Sequence, residues 1–566
     1  MPDLVIGSRR TGVPRPWRAG VIAVGLLGVV VVVAWFIYRR SVAYDMPGGE
    51  IQGEIAEVEP AAGTLPVLVY GSSSLTWVGG IPLLRMTGDA HAIGAAHGRL
   101  LAPLLPATVR AIAPSIENTV SYDGLLGGTT HGIRLAWRWR FVDDGMIEAD
   151  RRMVAGLARG AAASGVDVAF DDLLRDQAML DVGAPSPRSP EADQHSIARS
   201  LTIVATQATP GRVWIGRSFS LPGLDDGGDA ETPVVEIAHP EGRLAWAAVG
   251  WAGQLGVVTG INAAGIAVMV DPTRTGDVRI TRTARPISLL ARSVLEQAKT
   301  LDEAVKMIES SQTLGAAVVV VVDGATGRWL VVERTPSKAI VEKTPRLPVV
   351  GDVLTTNALA SDPENDRARR SLPTIGRVER AAKLVRAPLA DISQMAAVLR
   401  DQRNIDDTMR PAGHRGVIDD GRAVQSVILD PMTLELWVAD PRSNGRFRGF
   451  DLRHELRGDG DRAIPPSDIM PDPASDPDRL ASLAAARADL RDARDALAKN
   501  DRARAVEACA RARARAPSLP EAVELDAIVS QLRGDDAHAR ASFQRWLDGG
   551  PDDPAGEERA RAAITP

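Results

Sequence analysis

The run AGVIAVGLLGVVVVVAWFIY, from Ala19 to Tyr38, holds twenty residues without a single charge. As a helix it is about 30 Å long, the thickness of the hydrocarbon layer of a bilayer. A helix apolar all round must be covered all round, so the run divides the chain into a leading segment, an anchor and a body. Trp35 and Tyr38 stand toward one end, where interfacial aromatics collect. Arg9, Arg10, Arg15 and Arg18 precede the run, and Arg39 and Arg40 follow it. This bias predicts a cytoplasmic segment over 1–18, a single-pass anchor over 19–38 and an extracytoplasmic body, on the periplasmic side in a bacterium. A cleaved signal peptide is the alternative reading, but the apolar core is long for one and no small-x-small site closes it.

After a polar, glycine-rich tether (41–64), the body is long enough for several units of about 150 residues. Its charges, 66 basic and 72 acidic over the whole chain, are mixed along most of its length. No concentrated basic face of the kind a nucleic-acid domain carries is evident, so no nucleic-acid partner is expected. Cys509, the single cysteine, excludes an intrachain disulfide and a cysteine-rich metal site. Its setting, EACARAR, reads as helix packing.

Periodicity predicts helices over Ile147–Ala163, Phe170–Leu180 and Ile375–Ala387, with two more in ISLLARSVLEQA and LDEAVKMIESS. Between and after them come short β-rich runs: LTIVAT, VWIGRSF, PVVEIAH, LAWAAVG, GVVTGI, GIAVMVD, then the hairpins AAVVVVVDGATGRWLVVER and SVILDPMTLELWVAD. Strands followed by helices and then strands again indicate layered sheets flanked by helices. A Pro/Asp-rich linker (461–478) leads to an alanine-rich helical tail (479–566). There, the segments starting at Asn500 and Gly534 superpose at an offset of 34, the tetratricopeptide period; an ordinary helical hairpin tail is the other reading. Such a tail is expected to dock on the body or on a protein partner.

Chemistry is harder to locate. No G-x-S-x-G elbow and no H-E-x-x-H occurs, and His91, His97 and His195 come with no nucleophile or acid signature, so each is read as structural. The stretch ARSLTIVATQATPGRVWIGRSFS alternates, turns at Pro210-Gly211 and alternates again, a β-hairpin opened by Ser200.

In these residues the chain resembles the acid ceramidase and acyl-coenzyme A:6-aminopenicillanic acid acyltransferase group of N-terminal-nucleophile hydrolases, from about Pro66 to Leu456. Members of the group cut themselves before a cysteine, often in C-T-S-I-V, and carry G-R-N-x-D after a turn. Here Ser200-Leu201-Thr202-Ile203-Val204 and Gly216-Arg217-Ser218-Phe219-Ser220 hold those places. GDAHAIGAAHG resembles the group's glycine-spaced helix segment, with Gly88, Gly94 and Gly98, and GLARGAAASG a later helix. TGINAAGIAVMVD resembles its G-x-N-x-x-G-L strand pair, with Asn262 and Gly265, and TTNALASDPENDRARRSLP its T-N motif, with Asn357 and Arg370.

The resemblance implies an α+β, four-layer αββα fold over 65–460, with 65–199 the smaller chain after processing. It also implies an amidase or acyltransferase acting on an N-acylated small molecule or lipid, without metal or organic cofactor. Cleavage before Ser200 would give the serine a free α-amine, of pKa near ~8, that takes its hydroxyl proton without any histidine. Arg217, Asn262 and Asn357 are the expected donors for the amine or the oxyanion, and Arg370 the expected holder of a carboxylate or of the pocket. Structural roles for Arg217, Asn262 and Asn357 stay open. Ser218 and Ser220 replace the group's Asn and Asp, which leaves a second reading: a catalytically silent, membrane-anchored scaffold.

Overall fold

A computed structural model of the chain describes residues 15–58, 66–117, 127–181, 199–221, 224, 232–273, 283–342, 347–351, 374–443, 445–458, 464–473, 476–498, 501–551 and 554–565. Among these described residues, two sheets form the body. The larger has eleven strands in the order β1 (Ala56–Val58), β2 (Val67–Tyr70), β3 (Ser73–Val78), β4 (Ile81–Gly88), β7 (Val234–Pro240), β8 (Trp246–Gly250), β9 (Thr259–Asn262), β10 (Ile266–Thr273), β11 (Ala316–Asp323), β12 (Trp329–Arg334) and β13 (Ala339–Glu342). All its pairings are antiparallel except β4 with β7. The smaller has six antiparallel strands in the order β14 (Val349–Gly351), β5 (Arg199–Thr206), β6 (Val213–Ser220), β15 (Gln425–Asp430), β16 (Glu435–Asp440) and β17 (Arg446–Asp451).

Three apolar layers stack these sheets. Ile237, Met269, Val320 and Val331 of the larger sheet meet Val204, Ile215, Val427 and Val438 of the smaller in one buried cluster. The far side of the larger sheet is covered by α2 (Ala90–Leu100), α3 (Leu105–Glu117), α5 (Glu148–Ala163), α6 (Phe170–Asp176), α7 (Ile287–Gln297) and α8 (Leu301–Ser310). The far side of the smaller is covered by α9 (Thr374–Leu384) and α10 (Ile392–Leu399). The result is the four-layer αββα arrangement, and it follows from strands such as AAVVVVVD, apolar on both faces and therefore needing cover on both.

Glycines set the closest approach. Gly94 and Gly98 of α2 lie against Met153 and Leu157 of α5, while Gly156 and Gly160 of α5 lie against His91 and Ala95 of α2. A methyl group at Gly94 would stand 1.9 Å from the Met153 carbonyl oxygen. The glycine spacing of GDAHAIGAAHG is therefore a helix-crossing device. The Pro210-Gly211 turn joins β5 to β6 as expected, with Gly211 at φ +75°.

Helix α1 runs from Arg15 to Val42, and its Val24–Val42 part is the one span among the described residues long and apolar enough to cross a membrane. The following stretch is tied down more than a tether suggests. Tyr44 is buried and donates its hydroxyl to the Trp139 carbonyl, at the end of α4 (Gly127–Trp139), and β1 forms an edge of the larger sheet. The helix expected to reach Leu180 stops at Asp176 and gives way to a 3-10 turn over Met179–Asp181. Past α11 (Leu452–Arg457), the Pro/Asp-rich linker is also pinned. Ile469 exchanges backbone hydrogen bonds with Phe447, and Ser467 accepts the indole N–H of Trp437.

The tail is a chain of helices, α12 (Pro477–Ala498), α13 (Arg502–Arg515), α14 (Pro520–Leu532), α15 (Asp536–Asp548) and α16 (Pro554–Ile564), each packed on the next. Cys509 sits in its core, where burial pushes the thiol up to about 12.

Candidate active site

Ser200 is the second residue of β5 and has no solvent exposure. Strand alternation puts Ser200, Thr202 and Val204 on one face and Arg199, Leu201 and Ile203 on the other. Val204 belongs to the layer between the sheets and Ile203 to the layer under α9 and α10, so Ser200 faces the larger sheet. Its Oγ has no hydrogen-bond partner among the described residues. Burying a hydroxyl without a partner costs about 1–3 kcal/mol, and such an atom in a packed sheet calls for a reason.

The neighbours of Ser200 form a polar layer at this end of the inter-sheet space. Phe219 of β6 pairs with Ser200 and Arg217 with Thr202, while Gln425 of β15 stands beside Phe219. Thr202 donates its hydroxyl to Asp271 Oδ2 at 2.9 Å and accepts from Arg217 Nη1 at 2.6 Å. Arg217 also donates to Asp271 Oδ1 and to the Val270 carbonyl. Gln425 donates to the Val249 carbonyl at 2.8 Å and accepts from the Thr259 hydroxyl at 3.0 Å. The Phe219 ring stacks on Trp251, and the Arg217 guanidinium lies 5.2 Å from the Phe219 ring centre. A buried serine hydroxyl on the same strand face as a fixed, charge-balanced ion pair is an arrangement that suits nucleophilic attack.

Arg217 is thus brought next to Ser200's strand, with its two terminal guanidinium nitrogens donating to Asp271, Thr202 and Val270. Asn262 is used differently. Its two amide hydrogens go to the Leu295 and Ala298 carbonyls at 2.9 and 2.7 Å, and its oxygen accepts the Ala264 and Ile266 N–H groups. Asn262 therefore locks the β9–β10 turn, where Gly265 has φ +89°, onto the end of α7. Asn357 and Arg370 lie outside the described residues, as does His195. Gly351, the last described residue before that stretch, pairs with Leu201.

Ser218 and Ser220 face away from Ser200's hydroxyl. Ser218 lines a cavity of about 1230 Å³ between the outer face of the smaller sheet, residues 400–424 and α12. His97 is a packing residue. It accepts the Gly253 N–H at 2.8 Å, and burial pushes its pKa down to about 3. Glu236, 3.6 Å from its other ring nitrogen, is raised well above the carboxylate range by burial. Among the described residues no group of three His, Cys, Asp or Glu side chains is placed to hold a metal ion.

Sequence reasoning missed Asp271, Gln425 and Asp420. Asp271 shares a strand face with Ala267 and Met269 inside GIAVMVDP, and an acid on an otherwise apolar face is a signal for a buried, paired charge. Asp420 carried no such mark. Its Oδ2 lies 3.1 Å from Nη1 of Arg199, the residue before Ser200, with both side chains almost fully buried. Burial raises the Asp420 carboxyl, but Arg199, Arg422, Arg487 and Arg377 together outweigh that and hold it below the usual range.

Comparison with known proteins places part of this body. Residues 233–415 match the family described as acyl-coenzyme A:6-aminopenicillanic acid acyl-transferase. The match begins after the β5–β6 hairpin and ends before the helical tail. An uncharacterized protein of Archaeoglobus fulgidus is 28% identical over 182 residues, 31% of this chain and 30% of that one. Among solved structures, a Caenorhabditis elegans ortholog of N-acylethanolamine-hydrolyzing acid amidase is 18% identical with a TM-score of 0.31, covering 41% of this chain and 93% of its own. A variant of conjugated bile acid hydrolase from Clostridium perfringens is 11% identical with a TM-score of 0.30, covering 47% and 96%. The likeness to the acyl-coenzyme A:6-aminopenicillanic acid acyl-transferase family thus lies in residues 233–415, about a third of the chain.

Proposed function

We propose that this protein is a self-processed amide hydrolase or acyltransferase with Ser200 as its nucleophile, held at a membrane by α1. The observation that carries the reading is the Ser200 hydroxyl itself, fully buried, without a partner among the described residues and on the same strand face as the Arg217–Asp271–Thr202 network. The family match supports amide chemistry.

Processing would proceed as an acyl shift. Ser200 Oγ attacks the Arg199 carbonyl carbon, the Arg199–Ser200 C–N bond breaks, and the hydroxyl proton passes to the departing nitrogen. Water then hydrolyses the ester, leaving a carboxylate on Arg199 and a free α-amine on Ser200. In turnover that amine takes the hydroxyl proton, Oγ attacks the substrate's amide carbonyl, and the amine product leaves with the proton. The acyl group then passes from Oγ to water or to an acceptor amine. The Arg217–Asp271 pair fixes charge beside the strand without needing to reorganise during the reaction. N-acylated small molecules and lipids are the substrate classes to screen. With the positively charged leader on the cytoplasmic side, the body would lie outside.

The test is a panel of N-acyl anilides of increasing chain length, added in excess to the purified full chain and followed by mass spectrometry of the fragment that starts at Ser200. A mass increase equal to the acyl group, absent in Ser200→Ala, supports the reading. Hydrolysis that persists in Ser200→Ala would assign the chemistry to another residue.

A further inference from the structure

The outer face of β5 carries a second relationship, between the processing site and the C-terminal helices. Arg199 and Ser200 are consecutive, so their side chains leave the strand on opposite faces. Ser200 points between the sheets, while Arg199 points outward to Asp420. Asp420 lies in the 410–424 segment, and the tail grips that segment at several points. Arg487 of α12 donates to the Asp420 carbonyl at 2.7 Å and to the Gly421 carbonyl. Glu521 of α14 is shared between Arg422 of the segment and Arg494 of α12. Glu524, three residues further along α14, takes Arg415 of the segment at 3.4 Å and Arg559 of α16 at 3.0 Å. Leu519 packs over Gly413, where an added methyl group would stand 2.3 Å from its Cδ1.

These contacts are buried. Glu521 and Glu524 are 3% and 6% exposed, and Arg422, Arg415 and Arg487 at most 5%. Removing one partner from such a network leaves an uncompensated charge, so the segment cannot shift without disturbing the tail.

We propose that Asp420 is a positioning residue for self-cleavage, and that the C-terminal helices act through it as a clamp on the acyl side of the Arg199–Ser200 bond. The proposal rests on Ser200 being the nucleophile. In the acyl shift the Arg199 carbonyl carbon must stay in line with Ser200 Oγ while its bond to nitrogen breaks and its bond to oxygen forms. Main-chain pairing to β6 holds the strand from one side. The Asp420–Arg199 pair holds the side chain of the acyl residue from the other, so the carbonyl cannot rotate freely with its own φ and ψ. Misplacement of a reacting group by about 1 Å can cost about 100-fold in rate. The tail thereby ties processing to the synthesis and folding of α14, which carries Glu521 and Glu524.

The experiment follows the full chain from synthesis, by cell-free translation into lipid nanodiscs, and reads the appearance of the fragment beginning at Ser200 by mass over time. Variants are Asp420→Asn, Glu521→Gln, Arg199→Gln and the double variant Arg199→Gln/Asp420→Asn. The expected result is cleavage slowed by about tenfold or more in each single variant. The double variant should be no slower than Arg199→Gln alone, because both changes remove one coupling. Wild-type rates in Asp420→Asn and Glu521→Gln, with the wild type cleaving normally, would overturn the clamp while leaving Ser200 as nucleophile. A double variant slower by the product of the two single effects would also overturn it, since Asp420 would then act on the fold and not through Arg199. A wild type that never cleaves would overturn the nucleophile reading and the clamp together.

Discussion

Arg217 and Asp271 form an ion pair in which neither side chain has any solvent exposure, and the pair bridges the two sheets between β6 and β10. Taking two charges out of water costs several kcal/mol each, so the pair is stable only with its extra bonds to Thr202 and Val270. Removing one partner is therefore worse than removing both. Asp271→Ala should destabilise the protein by about 3–5 kcal/mol in urea unfolding. The double variant Arg217→Met/Asp271→Leu should recover most of that stability and still fail to process. Full processing in the double variant would show that the pair serves the fold alone.

Asn262 should behave as a structural residue. Its four hydrogen bonds close a turn and the end of a helix, so Asn262→Ala should cost about 1–3 kcal/mol in the same measurement. The fraction that folds should be processed at the wild-type rate. A folded but unprocessed Asn262→Ala would return Asn262 to the chemistry.

The α2–α5 crossing leaves no space for a methyl group. Gly94→Ala and Gly156→Ala would each place Cβ within about 2 Å of a backbone carbonyl oxygen, Met153 and His91 respectively. Helix backbone cannot yield as a side-chain tip can, so each should cost about 3 kcal/mol or more. Gly132→Ala, in α4 with open space around it, is the matched control, expected near zero or stabilising. Thermal midpoints of the three proteins decide the point.

Asp181 gives a pH signature. It is buried and accepts the Ile287 and Gly315 N–H groups, and burial, partly offset by those bonds, pushes its carboxyl up to about 7. In the unfolded chain it titrates near about 4. Between those values the folded protein holds a proton that the unfolded chain has released, so Asp181's contribution to stability falls as pH rises through the window. The slope for one proton is at most about 1.4 kcal/mol per pH unit. Asp181→Asn should flatten that part of the curve of unfolding free energy against pH between 4 and 7. An unchanged slope would mean the carboxylate is charged when folded.

Much of the fold could be read from residue patterns because burial leaves a periodic trace. β5 and β6 alternate, β11 is apolar on both faces because it is covered on both, and the α2 glycines mark a close crossing. The site was less legible. Arg217 stood out within GRSFS, but its partner lies 54 residues away on the other sheet, and no local pattern records a contact of that range. Asn262 has the composition of a donor, and only the Leu295 and Ala298 carbonyls disclose where its hydrogens go. Asp420 is one of two adjacent acids in a loop, and its role depends on helices that begin over fifty residues later. The 461–478 stretch looked like a free linker because proline and aspartate resist regular structure, yet Asp468 pairs with Arg448 at 2.9 Å and Ile469 extends the edge at Phe447.

Ser200 is the centre of the account, and the direct measurement is intact mass of the purified full chain beside its Ser200→Ala and Ser200→Cys variants. The account predicts two fragments meeting at Arg199 and Ser200 in the wild type, the same two in Ser200→Cys, and one unbroken chain in Ser200→Ala. A wild-type chain that stays unbroken after long incubation, or a Ser200→Ala chain cut at the same bond, would contradict it.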